Sequence, residues 1–178
     1  MSTNYPPAIL AAAKKIKLLL LDVDGVLTDG RLYYGNSGEE LKAFNIQDGL
    51  GIRLLQRGGI QVGIITGRRS TLLERRAEEL TISPIIQGRE DKWSALNEIL
   101  EGMDISPQEI AFMGDDLPDL AVINRVGLGI TPANANSAVA NQAHWQTEKC
   151  GGDGAVREVA ELILGAQKKL ESLLATYR

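Results

Sequence analysis

Short apolar runs alternate with segments of helical period along the chain, and this alternation constrains the fold more than any other feature. Residues 17–22 (KLLLLD) form the first apolar run, which ends in an acid, as is typical of a parallel strand buried on both faces. Further runs lie at 60–66, 84–87, 110–114 and 126–130, and helices are predicted at about 47–57, 70–80, 92–102, 117–124 and 154–175. The sequence therefore predicts an α/β, Rossmann-like fold of three layers, with helices on both faces of a parallel sheet.

One segment, residues 30–44, interrupts this alternation. It has the pattern of two short strands around a turn at 35–38, which predicts a β-hairpin inserted directly after the first acidic motif. The 178 residues contain no repeat, no low-complexity tract and no linker. We therefore expect a single domain over 1–178, with the hairpin at about 30–44 and a C-terminal helix and tail at about 154–178.

Charge and composition exclude several classes of function. A net charge of -4 and a pI near 5.1 argue against a nucleic-acid-binding protein, which would usually present a basic face. A single cysteine, Cys150, excludes an internal disulfide and a multi-cysteine metal site. No apolar stretch approaches the roughly 20 residues of a membrane span, and the N-terminus lacks the apolar core of a signal peptide. These features predict a cytoplasmic protein with no membrane partner.

Polar side chains end three of the predicted strands. Asp22 and Asp24 follow the first apolar run, Thr66 ends the second, and Asp115 and Asp116 follow the run at 110–114. In open parallel sheets, ligands bind beyond the carboxyl ends of the strands, near the point where the strand order reverses. We therefore expect these three clusters to form one site.

The acidic residues predict a magnesium site. The pair Asp22 and Asp24 alone is more simply explained by a turn or a helix N-cap. A second acidic cluster, formed by Asp115, Asp116 and Asp119, ends another buried strand, which favours a functional interpretation. Carboxylates brought together in an apolar region repel one another unless a cation offsets their charge, and Mg2+ is the commonest hard divalent cation with oxygen ligands.

Thr66, Gly67, Arg68 and Lys92 add features of an anion site. A hydroxyl, a glycine amide and a guanidinium at the start of a helix can bind a phosphate, although a plain helix cap with a surface arginine explains the same pattern. Lys92 opens a predicted helix, where the helix dipole disfavours a cation, so we expect it to contact a phosphoryl oxygen or an aspartate. Two carboxylates, a metal, a hydroxyl and a lysine are the groups that phosphoryl transfer needs, and no P-loop motif is present.

These motifs resemble the four signature motifs of the haloacid dehalogenase-like (HAD-like) phosphatase superfamily, in the same order. The matching segments are residues 22–28 (DVDGVLT), 65–67 (ITG), Lys92, and 114–119 (GDDLPD). The resemblance implies that Asp22 attacks phosphorus and becomes an aspartyl phosphate, and that Asp24 protonates the leaving alcohol and then activates water. It implies that Mg2+ is held by Asp22, Asp115 and the backbone carbonyl of Asp24. Thr66 and Lys92 would bind the phosphoryl oxygens.

Within that superfamily, the sequence is similar to the phosphatases of 3-deoxy-D-manno-octulosonate (KDO) 8-phosphate, which act in lipopolysaccharide synthesis. The similarity lies in the small size, the hairpin in place of a large cap domain, and residues 44–49 (FNIQDG), 65–68 (ITGR) and 151–158 (GGDGAVRE). The implied substrate contacts are Asp24, Asn45, Ile46, Gln47, Asp48, Gly49, Arg53, Gly67, Arg68, Arg76 and Lys92. Gln47 departs from the pattern, since a basic residue is common there. For Arg76, a solvated helix face is an equally good explanation.

The resemblance also implies a partner. Relatives without a cap domain commonly form homotetramers in which the hairpin and a neighbouring subunit cover the active site. Leu32, Tyr33 and Tyr34 on the predicted hairpin could supply the apolar contact that such an assembly needs. The tail at 175–178 could reach the active site of a neighbouring subunit, so that deleting the residues after about Leu170 would raise KM.

Three alternatives remain open from the sequence. The first is a phosphatase of another sugar acid, such as a nine-carbon 9-phosphate. The second is a receiver-like signalling domain, although a receiver carries its paired acids on the first strand, whereas here the pair at 115–116 follows Lys92. The third is a catalytically silent interaction module, which predicts the loss of a key carboxylate, and none is missing.

Overall fold

The computed structural model describes residues 5–36 and 40–177. Its strands are β1 (Leu18–Leu21), β2 (Tyr33–Tyr34), β3 (Glu40–Leu41), β4 (Gln61–Thr66), β5 (Ile85–Gln87), β6 (Ile110–Met113), β7 (Leu128–Thr131) and β8 (Trp145–Gln146). Its helices are α1 (Pro7–Ala13), α2 (Ile46–Arg57), α3 (Thr71–Glu79), α4 (Lys92–Leu100), α5 (Leu120–Ile123), α6 (Ser137–Ala140), α7 (Ala155–Ala166) and α8 (Leu170–Ala175). Within the described ranges, none of the helices is long and apolar enough to cross a membrane.

Six strands form one parallel sheet in the order β5-β4-β1-β6-β7-β8. The chain first builds outwards from β1 through β4 to β5, and then returns to place β6 on the other side of β1. The strand order therefore reverses between β1 and β6, which is where a ligand site is expected in such a sheet.

Helices cover both faces of the sheet, as β1 illustrates. Leu19 and Leu21 pack into a core layer with α1, α2, α3 and α7, whereas Leu18 and Leu20 pack into a second layer with α4 and α5. All four leucines are fully buried, which explains why the run is apolar without alternation. The predicted three-layer α/β fold is confirmed, and no large cap domain is present in the part of the chain that the structure describes.

The inserted hairpin is also confirmed. Strands β2 and β3 pair antiparallel, with Tyr33 opposite Leu41 and Tyr34 opposite Glu40. Each strand has only two residues, so the hairpin is shorter than the predicted segment 30–44. Residues 37–39 of the predicted turn lie outside the described residues.

The C-terminal helix is where the prediction is wrong. The segment at 154–175 forms two helices, α7 and α8, because the chain turns at Lys168, which has a left-handed φ of 58°. At this turn, the side chain of Gln167 donates hydrogen bonds to the carbonyls of Ala13 and Ile16. A continuous apolar pattern on both sides of the turn concealed the break from the sequence. The short elements α1, α6 and β8 were likewise not predicted.

Candidate active site

The three predicted clusters lie at one edge of the sheet, as expected. Asp22 directly follows β1, Thr66 ends β4, and Asp115 lies two residues beyond β6. The register pairs Leu21 with Met113, and the amide of Asp22 donates a hydrogen bond of 2.9 Å to the carbonyl of Met113. This pairing brings the two acidic motifs together at the point where the strand order reverses.

Three carboxylates form the centre of the site. Asp22, Asp115 and Asp119 each offer an oxygen that lies within 4.8 Å of the others. Asp22 and Asp119 are buried, and Asp115 is partly buried. Oδ2 of Asp119 accepts hydrogen bonds from the amides of Asp115 (3.0 Å) and Asp116 (3.2 Å), so this side chain shapes the loop that carries Asp115.

Lys92 is the cation of this cluster. It is the first residue of α4, its side chain is 4% exposed, and its Nζ lies 2.9 Å from Oδ1 of Asp22 and 2.5 Å from Oδ1 of Asp119. The unfavourable helix position is offset by Asp91, which caps α4 by accepting a hydrogen bond from the amide of Ser94. The expectation that Lys92 contacts an aspartate is therefore confirmed. Burial lowers the pKa of Lys92, but the two carboxylates outweigh burial and raise it.

The carboxylates remain under-compensated despite Lys92. Burial raises the pKa of Asp22 from its usual 3.8 to about 6, with Lys92 acting in the opposite direction. Burial, together with the charges of Asp22 and Asp119, raises the pKa of Asp115 to about 7. Three acids held by one ammonium leave two negative charges when all are ionised. Such a set of oxygens fits a hard divalent cation, which would lower both pKa values.

Gly25 explains how Asp115 can lie so close to the first motif. This residue has a φ of 90°, and a Cβ atom built on it would lie 2.1 Å from Oδ2 of Asp115. Glycine alone fits this close approach of backbone to carboxylate. The loop after Asp24 thus forms one wall of the acidic cluster.

The side chain of Asp24 has different partners from those of the acidic cluster. Its Oδ1 lies 2.5 Å from Nζ of Lys42, and its Oδ2 lies 3.6 Å from Nε of Arg68. Asp24 therefore faces two cations, one from the residue after β3 and one from the loop after β4. The sequence did not indicate a role for Lys42, because a lysine directly after a short strand has no distinguishing pattern.

The motif Thr66-Gly67-Arg68 lies in a loop and not at a helix start. Helix α3 begins at Thr71, and the amide of Ser70 is already bonded to Oε1 of Gln87 at 2.8 Å. Thr66 is buried at the strand end, whereas Gly67 is exposed and has open space where a side chain would project. The amide of Ser70, the residue before α3, is therefore already bonded to Gln87.

The segment from Asn45 to Gly49 joins the site to α7. Asn45 caps α2 by accepting a hydrogen bond of 2.7 Å from the amide of Gln47, and its Nδ2 donates to the carbonyl of Gly152 at 3.4 Å. Ile46 and Gln47 are exposed at the start of α2. Both side chains are therefore accessible at the N-terminal end of α2.

Asp48 has a structural task that the sequence did not reveal. It is buried, and its two carboxylate oxygens accept hydrogen bonds from the amides of Gly154 (3.3 Å) and Arg157 (2.8 Å). Burial raises its pKa, while these backbone bonds act in the opposite direction. Since Gly154 has no side chain to cap α7, Asp48 caps that helix from α2.

Arg53 and Arg76 lie at the contact between α2 and α3. Arg53 donates a hydrogen bond of 3.0 Å to the carbonyl of Glu79, and Nη1 of Arg76 bonds to Oε2 of the same residue at 3.2 Å. Arg76 also packs over the ring of Phe44 and against the backbone of Gly49, where a Cβ atom would lie 2.4 Å from its Nη2. The side chain of Arg76 is only 21% exposed, so Arg76 does not lie on a solvated helix face.

Comparison with known proteins agrees with this geometry. The model of the family described as haloacid dehalogenase-like hydrolase matches residues 82–159, which include Lys92, Asp115 and Asp119. A 3-deoxy-D-manno-octulosonate 8-phosphate phosphatase from Yersinia pestis is 49% identical over 174 residues, covering 96% of this chain and 93% of that protein.

Solved structures give the same result. A probable phosphatase from Pseudomonas syringae pv. phaseolica superposes with a TM-score of 0.95 at 48% identity, covering 97% of this chain and 98% of its own. A 3-deoxy-D-manno-octulosonate 8-phosphate phosphatase from Moraxella catarrhalis, solved with magnesium, phosphate and KDO, has a TM-score of 0.95 at 45% identity and covers 98% of this chain and 100% of its own. The chain belongs to the haloacid dehalogenase-like hydrolases and, within them, to the family of the 3-deoxy-D-manno-octulosonate 8-phosphate phosphatases.

Proposed function

We propose that this protein is a Mg2+-dependent phosphomonoesterase that converts KDO 8-phosphate to KDO and inorganic phosphate. The observation that carries the proposal is the cluster of Asp22, Asp115, Asp119 and Lys92 at the strand-order reversal. The relatives named above, one of which was solved with magnesium, phosphate and KDO, support both the reaction and the substrate. We place the reaction in lipopolysaccharide synthesis in the cytoplasm, and we treat residues 1–178 as one domain.

Asp22 is the proposed nucleophile. One carboxylate oxygen attacks phosphorus while the bond from phosphorus to the ester oxygen breaks, and an aspartyl phosphate forms. Asp24 gives its proton to the departing alcohol oxygen. Asp24 then takes a proton from a water molecule that attacks the aspartyl phosphate, which releases phosphate and restores Asp22. Because Asp22 attacks as the anion, the hydrogen bond from Lys92 favours the reactive form.

Asp22, Asp115 and the backbone carbonyl of Asp24 are the proposed Mg2+ ligands. Asp119 is less suited to direct ligation, because its oxygens already bond to Lys92 and to two backbone amides. When bound, the cation offsets the repulsion between the carboxylates and the charged phosphate, which is the main requirement of phosphoryl transfer.

The remaining groups would bind the substrate. Thr66, the amide of Gly67 and Lys92, at the end of β4 and the start of α4, are the proposed partners of the phosphoryl oxygens. The sugar acid carries a second anion, its carboxylate, for which an arginine is the preferred partner. Arg68 is the best placed of the three arginines, because it already lies beside Asp24 and within 3.4 Å of the hydroxyl of Tyr34.

The other proposed substrate contacts act at two levels. Asn45, Ile46 and Gln47 lie at the start of α2, with Asn45 partly buried and the other two exposed, and are the proposed direct contacts. Asp48, Gly49 and Arg53 of α2 contact α3 or α7, and Arg76 of α3 packs against Gly49. Their proposed contribution is to hold the N-terminal end of α2 in place. Gln47 brings no positive charge, so the substrate carboxylate depends more heavily on Arg68.

A substrate panel tests the assignment. With Mg2+ present, we expect kcat/KM to be highest for KDO 8-phosphate, lower for a nine-carbon sugar-acid 9-phosphate, and far lower for glucose 6-phosphate, which lacks the carboxylate. A higher value for the nine-carbon substrate would transfer the proposal to that sugar acid. Equal turnover of all three would defeat the proposed specificity.

We also propose a homotetramer in which a neighbouring subunit covers the crevice. Leu32, Tyr33, Tyr34, Leu41 and Ile46, which surround the hairpin and the start of α2, are between 40% and 82% exposed. Such a patch beside an open site is suited to burial against another copy. Sedimentation of Leu41→Lys, with Glu171→Lys on exposed α8 as the control, tests this. We expect only the first variant to dissociate, and a wild-type monomer would contradict the proposal.

The C-terminal tail contacts α2 of its own chain. The hydroxyl of Tyr177 accepts a hydrogen bond of 2.9 Å from Arg57 of the same chain, and the guanidinium of Arg57 lies 5.9 Å from the ring centroid. Arg57 is the last residue of α2, at the opposite end of that helix from Asn45. The proposal that the tail enters a neighbouring active site therefore requires this contact to open.

A further inference from the structure

Lys42 carries a buried positive charge that neither the sequence motifs nor the proposed reaction uses. It follows β3 directly, and its side chain is 2% exposed. Its Nζ lies 2.5 Å from Oδ1 of Asp24, a residue far from it in the chain. A buried ammonium is costly unless it is paired, so this contact fixes both side chains.

The two oxygens of Asp24 have unlike surroundings. Oδ1 is held by Lys42 at hydrogen-bond distance, whereas Oδ2 lies 3.6 Å from Nε of Arg68, which is too long for a hydrogen bond. The Asp24 side chain keeps 21% of its surface exposed, so it is accessible from the crevice. Oδ2 is therefore the oxygen of Asp24 that Lys42 does not hold.

We infer that Lys42 is a positioning residue for phosphoryl transfer, holding Asp24 through Oδ1 so that Oδ2 faces the departing alcohol oxygen. The inference rests on the proposed function, in which Asp24 gives a proton to that oxygen. A rigidly placed proton donor is worth far more than a mobile one, because proton transfer depends on the donor-to-acceptor geometry. Lys42 thereby connects the base of the hairpin to the chemistry of the site.

A purely structural role makes a different prediction. If Lys42 served only to anchor the hairpin, its loss would slow every substrate to the same extent. If it positions Asp24, its loss should slow only those substrates whose leaving group needs a proton. An alkoxide such as that of a sugar needs one, whereas p-nitrophenolate leaves without much help.

The test compares Lys42→Met, Lys42→Arg and wild type on KDO 8-phosphate and on p-nitrophenyl phosphate, with Mg2+ present. For Lys42→Met we expect kcat/KM to fall about 10- to 100-fold on KDO 8-phosphate and less than about threefold on the aryl ester. Lys42→Arg retains a cation next to Asp24, and we expect its ratio of the two values to stay within about threefold of wild type. Equal losses on both substrates, or an unchanged ratio in Lys42→Met, would overturn the inference.

Three further measurements keep the result unambiguous. Lys17→Met removes a lysine from an exposed ion pair with Glu109 and should leave both values unchanged. If Lys42→Met does not fold, Lys42→Gln, whose shorter side chain cannot hold Oδ1 of Asp24 in the same position, should show a selective loss in the same direction. In an Asp24→Asn background, Lys42→Met should add less than about a twofold further loss on KDO 8-phosphate, because both changes act on one step.

The two proposals fail in different ways. A wild-type enzyme that does not hydrolyse KDO 8-phosphate defeats the proposed function. In that case the alkyl-to-aryl comparison is made with the sugar phosphate that the wild type hydrolyses best, and the same selective loss is expected for Lys42→Met. A non-selective loss there overturns the role of Lys42 alone.

Discussion

Nζ of Lys92 lies 2.9 Å from Oδ1 of Asp22, and both side chains are almost completely buried. The same ammonium also binds Asp119, so one lysine serves two acids while Asp115 lies beside them. This arrangement neutralises only part of the negative charge. The site is therefore set up to receive a cation and then an anionic substrate, in keeping with a phosphatase.

Removing Lys92 should destabilise the metal-free protein. In Lys92→Met, the buried acids Asp22 and Asp119 lose the ammonium that pairs with both, and we expect a loss of roughly 3 kcal/mol in the free energy of unfolding. Urea denaturation in EDTA at pH 7.5 measures it, with Lys17→Met as the exposed control, which should match wild type. Addition of Mg2+ should recover part of the loss, and a Lys92→Met protein as stable as wild type in EDTA would show that the pairing contributes nothing.

The stability of the metal-free protein should depend on pH with a defined sign. The pKa of Asp115 rises from 3.8 to about 7 on folding, and that of Asp22 rises to about 6. Between those limits the folded chain binds more protons than the unfolded chain, so stability is greatest below pH 4 for these groups and is lost as pH rises towards 7. In EDTA, we expect the Tm of wild type, relative to that of Asp115→Asn, to fall by a few degrees between pH 5 and pH 8.

Mg2+ should reverse this dependence. The cation competes with protons for the same carboxylates, so its stabilising effect should grow with pH. Scanning calorimetry at pH 5.5 and pH 8 with saturating Mg2+ measures the effect. An equal rise in Tm at both pH values would contradict the proposed ligands.

Gly25→Ala should damage the metal site more than the fold. The new Cβ atom would collide with Oδ2 of Asp115, and a φ of 90° costs an alanine about 1–2 kcal/mol. We expect Mg2+ affinity, measured by calorimetric titration, to fall at least about tenfold. The control is Gly165→Ala in α7, where a Cβ atom has no neighbour within 4 Å, and which should gain about 0.5–1 kcal/mol of stability. Wild-type affinity in Gly25→Ala would disprove this close approach.

Asp48 should stabilise the protein as the cap of α7, independently of any contact with substrate. Asp48→Ala removes both acceptors from the start of α7 and should cost about 1–2 kcal/mol. Asp48→Asn retains one acceptor and should lose about half as much, and Asp153→Ala at an exposed neighbouring position should lose little. Urea denaturation measures all three, and full stability in Asp48→Ala would refute the capping role.

The sequence predicted the parts of the site that follow strand ends. Asp22, Thr66 and Asp115 could be placed together because buried parallel strands have a recognisable apolar pattern and their carboxyl ends share an edge. The position of Lys92 was informative for a similar reason, since a lysine at a helix start conflicts with the helix dipole. Each of these predictions used a local pattern with a known geometric consequence.

Contacts between distant segments could not be predicted in this way. Lys42 binds Asp24, from which most of the hairpin separates it in the chain, and Asp48 of α2 caps α7. Neither pairing produces a periodic pattern in the sequence. The break between α7 and α8 was missed because Lys168 adopts a left-handed φ without being a glycine. All three features are determined by tertiary packing, which the propensities of local sequence segments do not predict.

The most direct test of the account is phosphate release from KDO 8-phosphate by wild type and Asp22→Asn, each with Mg2+ and with EDTA. We expect wild type to be active only with Mg2+, and Asp22→Asn to lose at least about a thousandfold in kcat while remaining folded. Loss of activity in EDTA with return on adding Mg2+ would support the metal site. Substantial turnover by Asp22→Asn in the presence of Mg2+ would contradict the assignment of Asp22 as the nucleophile.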